Sequence, residues 1–279
     1  MRFGISMFAT DRTVPPALVA QAAEERGFAT FYVPEHTHIP VSRDTPHPLT
    51  GDVLDDGYRR TLDPWVALGT VVAVTSRIRL GTSIALVAEH HPIPLAKTLA
   101  TLDHLSQGRL QLGIGYGWNE EEMLNLGVDP RHRRAIVREH MLAMQGLWTE
   151  DEAGFEGTYV RFDPSWSWPK PVQQPLPVLI GGAAGPTLFA HLAEYAHGWM
   201  PHGGAGLSRA MPELLGRWEE AGRSGAPEVA IVGVIPEPGK LEYYRDQGVT
   251  EIVLGVAGTS ADEVATTLDS YLPLLDQFG

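Results

Sequence analysis

Short apolar segments alternate with helical patterns along the whole chain, and this alternation constrains the fold more than any other feature. Eight segments read as buried strands, and most are followed by a stretch whose apolar residues recur at helical spacing. No linker rich in Pro, Ser or Gly interrupts the series, so we expect one domain over residues 1–279. The pattern predicts an α/β fold, a (β/α)8 TIM barrel, with strands near residues 3–7, 30–34, 78–84, 110–114, 177–182, 198–201, 229–234 and 251–255.

Two segments break this rhythm. Residues 37–61 are polar, rich in Pro, Gly and Asp, and without periodicity, and a loop of this length is usually a functional lid or mobile. Residues 150–175 combine a hairpin pattern with several Trp and Pro residues, which indicates an insertion in the barrel. The best competing fold is a doubly wound open sheet. The number of strands, and their continuation to both termini, favour the barrel.

Polar and glycine-rich residues follow five of the predicted strands. In a parallel barrel the segments after each strand share one face, and ligands bind at that face. The sequence therefore groups one set of candidate site residues there: Glu35 and His36, Ser83 and Ile84, Gly115, Tyr116, Gly117 and Trp118, Gly181, Gly182 and Ala183, and Pro201 and His202.

Two of these segments combine a strand, a glycine turn and the start of a helix. Glycine lets backbone N–H groups approach a ligand closely, and the N-terminus of a helix attracts anions. The turns at residues 115–117 and 181–182 are therefore candidate anion sites. The simpler interpretation of each is a tight connection between strand and helix that binds nothing.

The charge balance argues against nucleic acid as a partner. The chain has 21 Lys and Arg against 34 Asp and Glu, a formal charge of −13, and such a surface repels phosphate backbones. It has no Cys, which excludes a disulfide scaffold, a thiol nucleophile and a Cys-ligated metal. The adjacent His90 and His91 would point apart in a strand or turn, so we expect no metal site.

Nothing in the sequence indicates targeting to a membrane. The N-terminus lacks the long apolar run of a signal peptide, and no apolar stretch is long enough to cross a bilayer. We expect a cytoplasmic protein, a homodimer, that acts on a small molecule.

The chain resembles the luciferase-like monooxygenase superfamily, and more closely its branch of oxidoreductases that depend on coenzyme F420, a deazaflavin. The resemblance covers nearly the whole chain and depends on an ordered set of pieces. These are residues 2–5, 33–36, 80–84, 91–92, 96–103, 106–109, 113–117, 119–120, 180–182 and 197–199.

The resemblance implies a flavin-like ring over the mouth of the barrel. A non-prolyl cis peptide between Ser83 and Ile84 would support the ring, and Glu35 would contact it. The cofactor phosphate would bind near Gly181, Gly182 and Ala183. The remaining cofactor contacts that we expect are Gly115, Tyr116, Gly117 and Pro201.

His36 is the expected catalytic residue. The resemblance implies that it faces the substrate, and an imidazole exchanges protons near neutral pH. Sugar-phosphate dehydrogenases of this branch have an acidic Glu after the second glycine of the turn, where this chain has Trp118. We therefore expect a different substrate, with Trp118 and His202 as part of its pocket and with the proton donor undetermined.

These observations predict an F420-dependent oxidoreductase that transfers a hydride between the deazaflavin and an organic substrate. An FMN-dependent monooxygenase is the alternative within the same superfamily. A barrel that binds a flavin or another anion without catalysis is the alternative outside enzymes. The sequence does not identify the substrate, because residues 37–61 and 150–175, which would shape its binding site, show no interpretable pattern.

Overall fold

Eight parallel strands close into a barrel in the computed structural model, which describes residues 1–279. The barrel prediction is confirmed. Closure comes from the first and last strands, because Arg2 to Met7 pair in continuous parallel register with Glu251 to Val256. The barrel strands are β1 (Arg2–Met7), β2 (Thr30–Val33), β3 (Arg79–Thr82), β4 (Leu110–Ile114), β7 (Val178–Gly181), β8 (Gly198–Met200), β9 (Glu228–Val232) and β10 (Glu251–Val256).

Helices surround the barrel, and polar or Pro residues mark several of their starts. The Asp63 side chain accepts a hydrogen bond from the Val66 N–H at 2.9 Å, with Pro64 in the first turn. No helix is both long enough and apolar enough to cross a membrane. The helices are α1 (Pro16–Glu25), α2 (Pro64–Val74), α3 (Pro92–Leu105), α4 (Glu120–Asn125), α5 (Arg133–Thr149), α6 (Pro186–Tyr195), α7 (Leu207–Glu220), α8 (Pro238–Asp246) and α9 (Ala261–Phe278).

The main apolar core lies between the strands and the helices, since both faces of a parallel sheet must be covered. A second, smaller core fills the barrel and consists of five side chains: Tyr32, Leu179, Met200, Ala230 and Val253. Ile84 and Val232 pack on this inner core. The inner core closes the barrel from below and forms the floor on which a ligand at the C-terminal face would lie.

The segment boundaries differ from prediction where the chain turns into the site. The strand expected to reach residue 84 ends at Thr82, and the one expected to reach residue 234 ends at Val232. A 3-10 turn at Pro130–His132 leads directly into α5. The insertion contains the expected hairpin, an antiparallel pair of β5 (Ala153–Glu156) and β6 (Arg161–Ser165).

Candidate active site

A cavity of about 880 Å³ opens at the C-terminal ends of the barrel strands. Every residue that the sequence assigned to the site lines this cavity: Glu35, His36, Ser83, Ile84, Gly115, Tyr116, Gly117, Trp118, Gly181, Gly182, Ala183, Pro201 and His202. The fold brings them together because each lies at, or soon after, the C-terminal end of a barrel strand. Their individual roles toward a cofactor or substrate stay predictions.

Ser83 and Ile84 are joined by a cis peptide bond, as the resemblance implied. The Ile84 side chain then lies against two glycines at the ends of neighbouring strands. A Cβ on Gly115 would overlap Ile84 Cδ1, and a Cβ on Gly181 would lie 3.0 Å from Ile84 Cγ2. Glycine at both positions therefore makes room for Ile84 in the floor of the cavity.

Glu35 is buried, and the protein already occupies both of its carboxylate oxygens. One accepts a hydrogen bond from the Leu86 N–H at 2.7 Å, and the other lies 2.7 Å from His90 Nε2. Burial lowers the pKa of His90, but the hydrogen bond and the charge of Glu35 outweigh it and raise that pKa. Glu35 thus fixes the segment after Ile84 beside the cavity.

His36 forms a buried pair with Glu122, a residue of α4 that the sequence reasoning did not single out. Their side chains are 7% and 0% exposed, and His36 Nδ1 lies 2.7 Å from Glu122 Oε2. The other oxygen of Glu122 accepts a hydrogen bond from the Thr37 N–H at 2.9 Å. Because an ionised carboxylate only accepts hydrogen bonds, His36 Nδ1 carries the proton in this arrangement. His36 Nε2 has no protein partner.

Four rings, which we call the aromatic cluster, form one wall of the cavity: His36, His47, Tyr58 and Trp118. The centroid of the Trp118 ring is 5.7 Å from that of His36 and 5.0 Å from that of His47. Tyr58 lies 5.3 Å from His36. His47 and Tyr58 come from the long loop, so residues 37–61 are part of the site rather than a detached segment.

The second glycine turn, residues 181–185, has the features of an anion site. The N–H groups of Gly182, Ala183, Ala184 and Gly185 donate to no protein acceptor, and α6 has no acidic side chain in its first turn. The Trp199 indole N–H donates to the Gly182 carbonyl at 2.9 Å and fixes the turn. These free donors at a helix N-terminus can hold a phosphate.

The first glycine turn is less suited to an anion than its sequence indicated. The helix after it, α4, has only six residues, and Glu120, Glu121 and Glu122 fill its first turn. Three carboxylates at that end repel an anionic ligand. The adjacent Tyr116 has a pKa raised to about 12 by burial, and its hydroxyl pairs with His191 Nδ1 at 2.8 Å. Of this turn, Tyr116 therefore offers the cavity an uncharged surface.

Sequence reasoning missed three residues of the site: Glu122, His47 and Tyr58. Glu122 belongs to a run of three acidic residues, a pattern typical of a solvated helix start, and nothing in the sequence indicates that it is buried. His47 and Tyr58 lie in an aperiodic loop, where no pattern shows which side chains turn inward.

Comparisons with known proteins agree with the barrel fold. Residues 15–236 match the luciferase-like monooxygenase family. An uncharacterized protein of Mycobacterium tuberculosis is 49% identical over 273 residues, 96% of each chain. The F420-dependent glucose-6-phosphate dehydrogenase of Nakamurella multipartita is 32% identical over 213 residues, 74% of this chain and 58% of that protein. The crystal structure of the monooxygenase RslO1 from Streptomyces bottropensis has a TM-score of 0.78 over 100% of both chains, at 23% identity.

Proposed function

This chain belongs to the luciferase-like monooxygenase family, and on that premise we propose that it is an oxidoreductase that uses a deazaflavin of the F420 type. One observation carries the proposal: His36, which is paired with the buried Glu122, lines the same cavity as the glycine turn with its free N–H groups. The relative from N. multipartita supports F420 over FMN as the cofactor, because that relative is itself F420-dependent.

The residues of the cavity fit such a cofactor in two respects. Ile84 and Met200, at the top of the inner core, offer an apolar floor for a flat ring system. The glycine turn at 181–185 offers backbone donors for a phosphate, which the overall charge of −13 would otherwise repel. We propose that Glu35, Ser83, Ile84, Gly115, Tyr116, Gly117 and Pro201 surround the ring, and that Gly181, Gly182 and Ala183 hold the phosphate.

A bound deazaflavin supplies a carbon that accepts or returns a hydride. The protein must then take up or release the proton that accompanies the hydride. His36 is suited to this role, because Glu122 fixes its ring through Nδ1 and leaves Nε2 free at the cavity wall. Trp118 stands where related sugar-phosphate dehydrogenases have an acid, so His36 acts without that second acidic group.

A direct titration tests the choice of cofactor. We expect the cofactor-free protein to bind F420 more tightly than FMN in equilibrium dialysis, since the ordered resemblance and the F420-dependent relative both support the deazaflavin. Equal or tighter binding of FMN would overturn the proposal. It would favour an FMN-dependent monooxygenase, and oxygenated product formed in air would identify that activity.

Gly182→Val tests the phosphate site. We expect it to weaken cofactor binding tenfold or more, about 1.4 kcal/mol, because a branched side chain would shield the free N–H groups of the turn. Gly182 has a φ of +145°, so the substitution also strains the backbone. Gly222→Val is the matched control, at a φ of +67° with open space and away from the cavity. Unchanged affinity in folded Gly182→Val would place the phosphate elsewhere.

A further inference from the structure

We propose that the substrate is an uncharged molecule with a planar apolar ring and a hydroxyl or carbonyl group. The aromatic cluster would select the ring. His36 Nε2 would accept a hydrogen bond from a hydroxyl, or donate one to a carbonyl in the imidazolium form. This inference depends on the proposed function and narrows it to a class of substrate. It distinguishes this chain from its relative that acts on glucose 6-phosphate.

The first argument is the absence of fixed charge that could bind an anionic substrate. None of the residues that line the cavity is Lys, Arg or Asp. The nearby Arg43 lies outside the lining, with its guanidinium 5.2 Å from the centre of the Trp118 ring, and it donates to the carbonyls of Thr45 and Asp52. The one carboxylate among them, Glu35, has both oxygens occupied by Leu86 and His90. A sugar phosphate would need a second set of anion donors besides the turn at 181–185, which the cofactor uses. An anionic substrate would therefore lose its hydration with no Lys or Arg side chain in the cavity wall to compensate for the loss.

The second argument concerns the polar atoms of the aromatic cluster. His47 Nε2 pairs with the Tyr58 hydroxyl at 2.9 Å, and His47 Nδ1 pairs with the Thr50 hydroxyl at 2.9 Å. Burial, reinforced by nearby Arg43, lowers the pKa of His47, so this wall carries no charge from His47 at neutral pH. Of the imidazole and hydroxyl atoms in the cluster, only His36 Nε2 lacks a protein partner. For substrate oxygen the cluster thus offers His36 Nε2 and, beside it, the indole N–H of Trp118, which donates to no protein acceptor.

The third argument is shape. Phe8 and Leu49 extend the cluster, with Phe8 at 4.8 Å from the Tyr58 ring, so the wall beside His36 is made of flat apolar surfaces. Aromatic side chains bind planar rings through stacked or edge-to-face contacts, which add to the burial of apolar area. A small aliphatic alcohol would satisfy His36 but leave much of this wall without contacts.

Binding of simple probes tests the inference without requiring turnover. Acetophenone and 1-phenylethanol represent the proposed class, 2-propanol lacks the ring, and glucose 6-phosphate carries the anion. We expect the two phenyl compounds to bind at least tenfold more tightly than 2-propanol and glucose 6-phosphate, measured by isothermal titration and ligand-observed NMR. Glucose 6-phosphate binding as tightly as acetophenone would overturn the inference.

Variants locate the binding surface. Trp118→Leu and Trp118→Ala should each weaken binding of acetophenone at least fivefold, whereas Trp166→Ala, at a Trp that is 73% exposed outside the cavity, should leave it unchanged. Unchanged affinity in both Trp118 variants would contradict the inference. The measurements are made with F420 bound and with no cofactor. A failure of F420 to bind would refute the cofactor proposal. The ring preference is then read from acetophenone against 2-propanol in the cofactor-free protein, because glucose 6-phosphate can occupy the empty turn at 181–185 there, and equal binding of these two probes would contradict the inference.

Discussion

Glu122→Gln is expected to lower turnover roughly 10²-fold while changing cofactor affinity little. Proton transfer by a positioned side chain typically contributes 10²–10⁴-fold to a rate. The amide of Gln can still accept the Thr37 N–H, but it no longer provides the ionised acceptor that holds His36 Nδ1–H. We expect the loss in kcat rather than in KM, because Glu122 acts through His36 and not on the substrate. Steady-state kinetics with a phenyl alcohol or ketone would measure it.

Glu121→Gln is the matched control on the same helix, because Glu121 accepts hydrogen bonds from the loop at Asp44 and Thr45 and does not contact His36. His36→Ala should lower turnover at least as far as Glu122→Gln, with cofactor affinity nearly intact. Nitrogen NMR of the imidazole gives a readout independent of activity, since Glu122→Gln should shift the proton population between Nδ1 and Nε2. An unchanged imidazole spectrum together with unchanged kcat would refute the positioning role.

Glu89→Gln is expected to stabilise the fold above pH 5, by an amount that grows with pH. Glu89 lies beside the site without a hydrogen bond to its buried Oε2, and burial, with the charges of Glu122 and Glu35, raises its pKa from 4.5 to about 9. The folded chain therefore holds a proton that the unfolded chain loses, and stability falls as pH rises between these two values. At pH 7.5, which is three pH units above 4.5, the free energy of unfolding of Glu89→Gln should exceed that of the wild type by roughly 4 kcal/mol.

Urea unfolding between pH 4.5 and 9 measures this effect. The free energies of unfolding of wild type and Glu89→Gln should converge near pH 4.5 and separate steadily above it. Glu152→Gln, at an exposed position in the insertion, should follow the wild-type curve at every pH. Curves for Glu89→Gln and wild type that stay parallel would mean that Glu89 is ionised in the folded protein.

The fold could be predicted from the sequence because its signal is repeated eight times. Each buried strand is a short apolar run, and the ends of those runs carried Glu35, Ser83, Gly115 and Gly181 to one face. Errors were confined to element ends, where the backbone leaves the strand to line the cavity, as after Thr82 and Val232.

The half of the site that comes from the loop could not be predicted in the same way. The inward turn of His47 and Tyr58 depends on tertiary contacts: Tyr58 binds His47, and the Thr61 hydroxyl donates to the His36 carbonyl at 3.0 Å. Burial of Glu122 depends on its pairing with His36, which is 86 residues away along the chain. Contacts between residues so far apart along the chain produce no repeating pattern that a single sequence could reveal.

The long loop is held to α4 through its backbone. The N–H groups of Thr37, Asp44 and Thr45 donate to carboxylates of Glu121 and Glu122. Main-chain donors are the same for every residue except Pro, so these anchors do not depend on the side chains that the loop presents to the cavity. Mutation can therefore replace Leu49, and even His47 or Tyr58, while the loop keeps its attachment. A barrel with this design can acquire a new substrate by small steps, each of which leaves a folded protein on which selection can act.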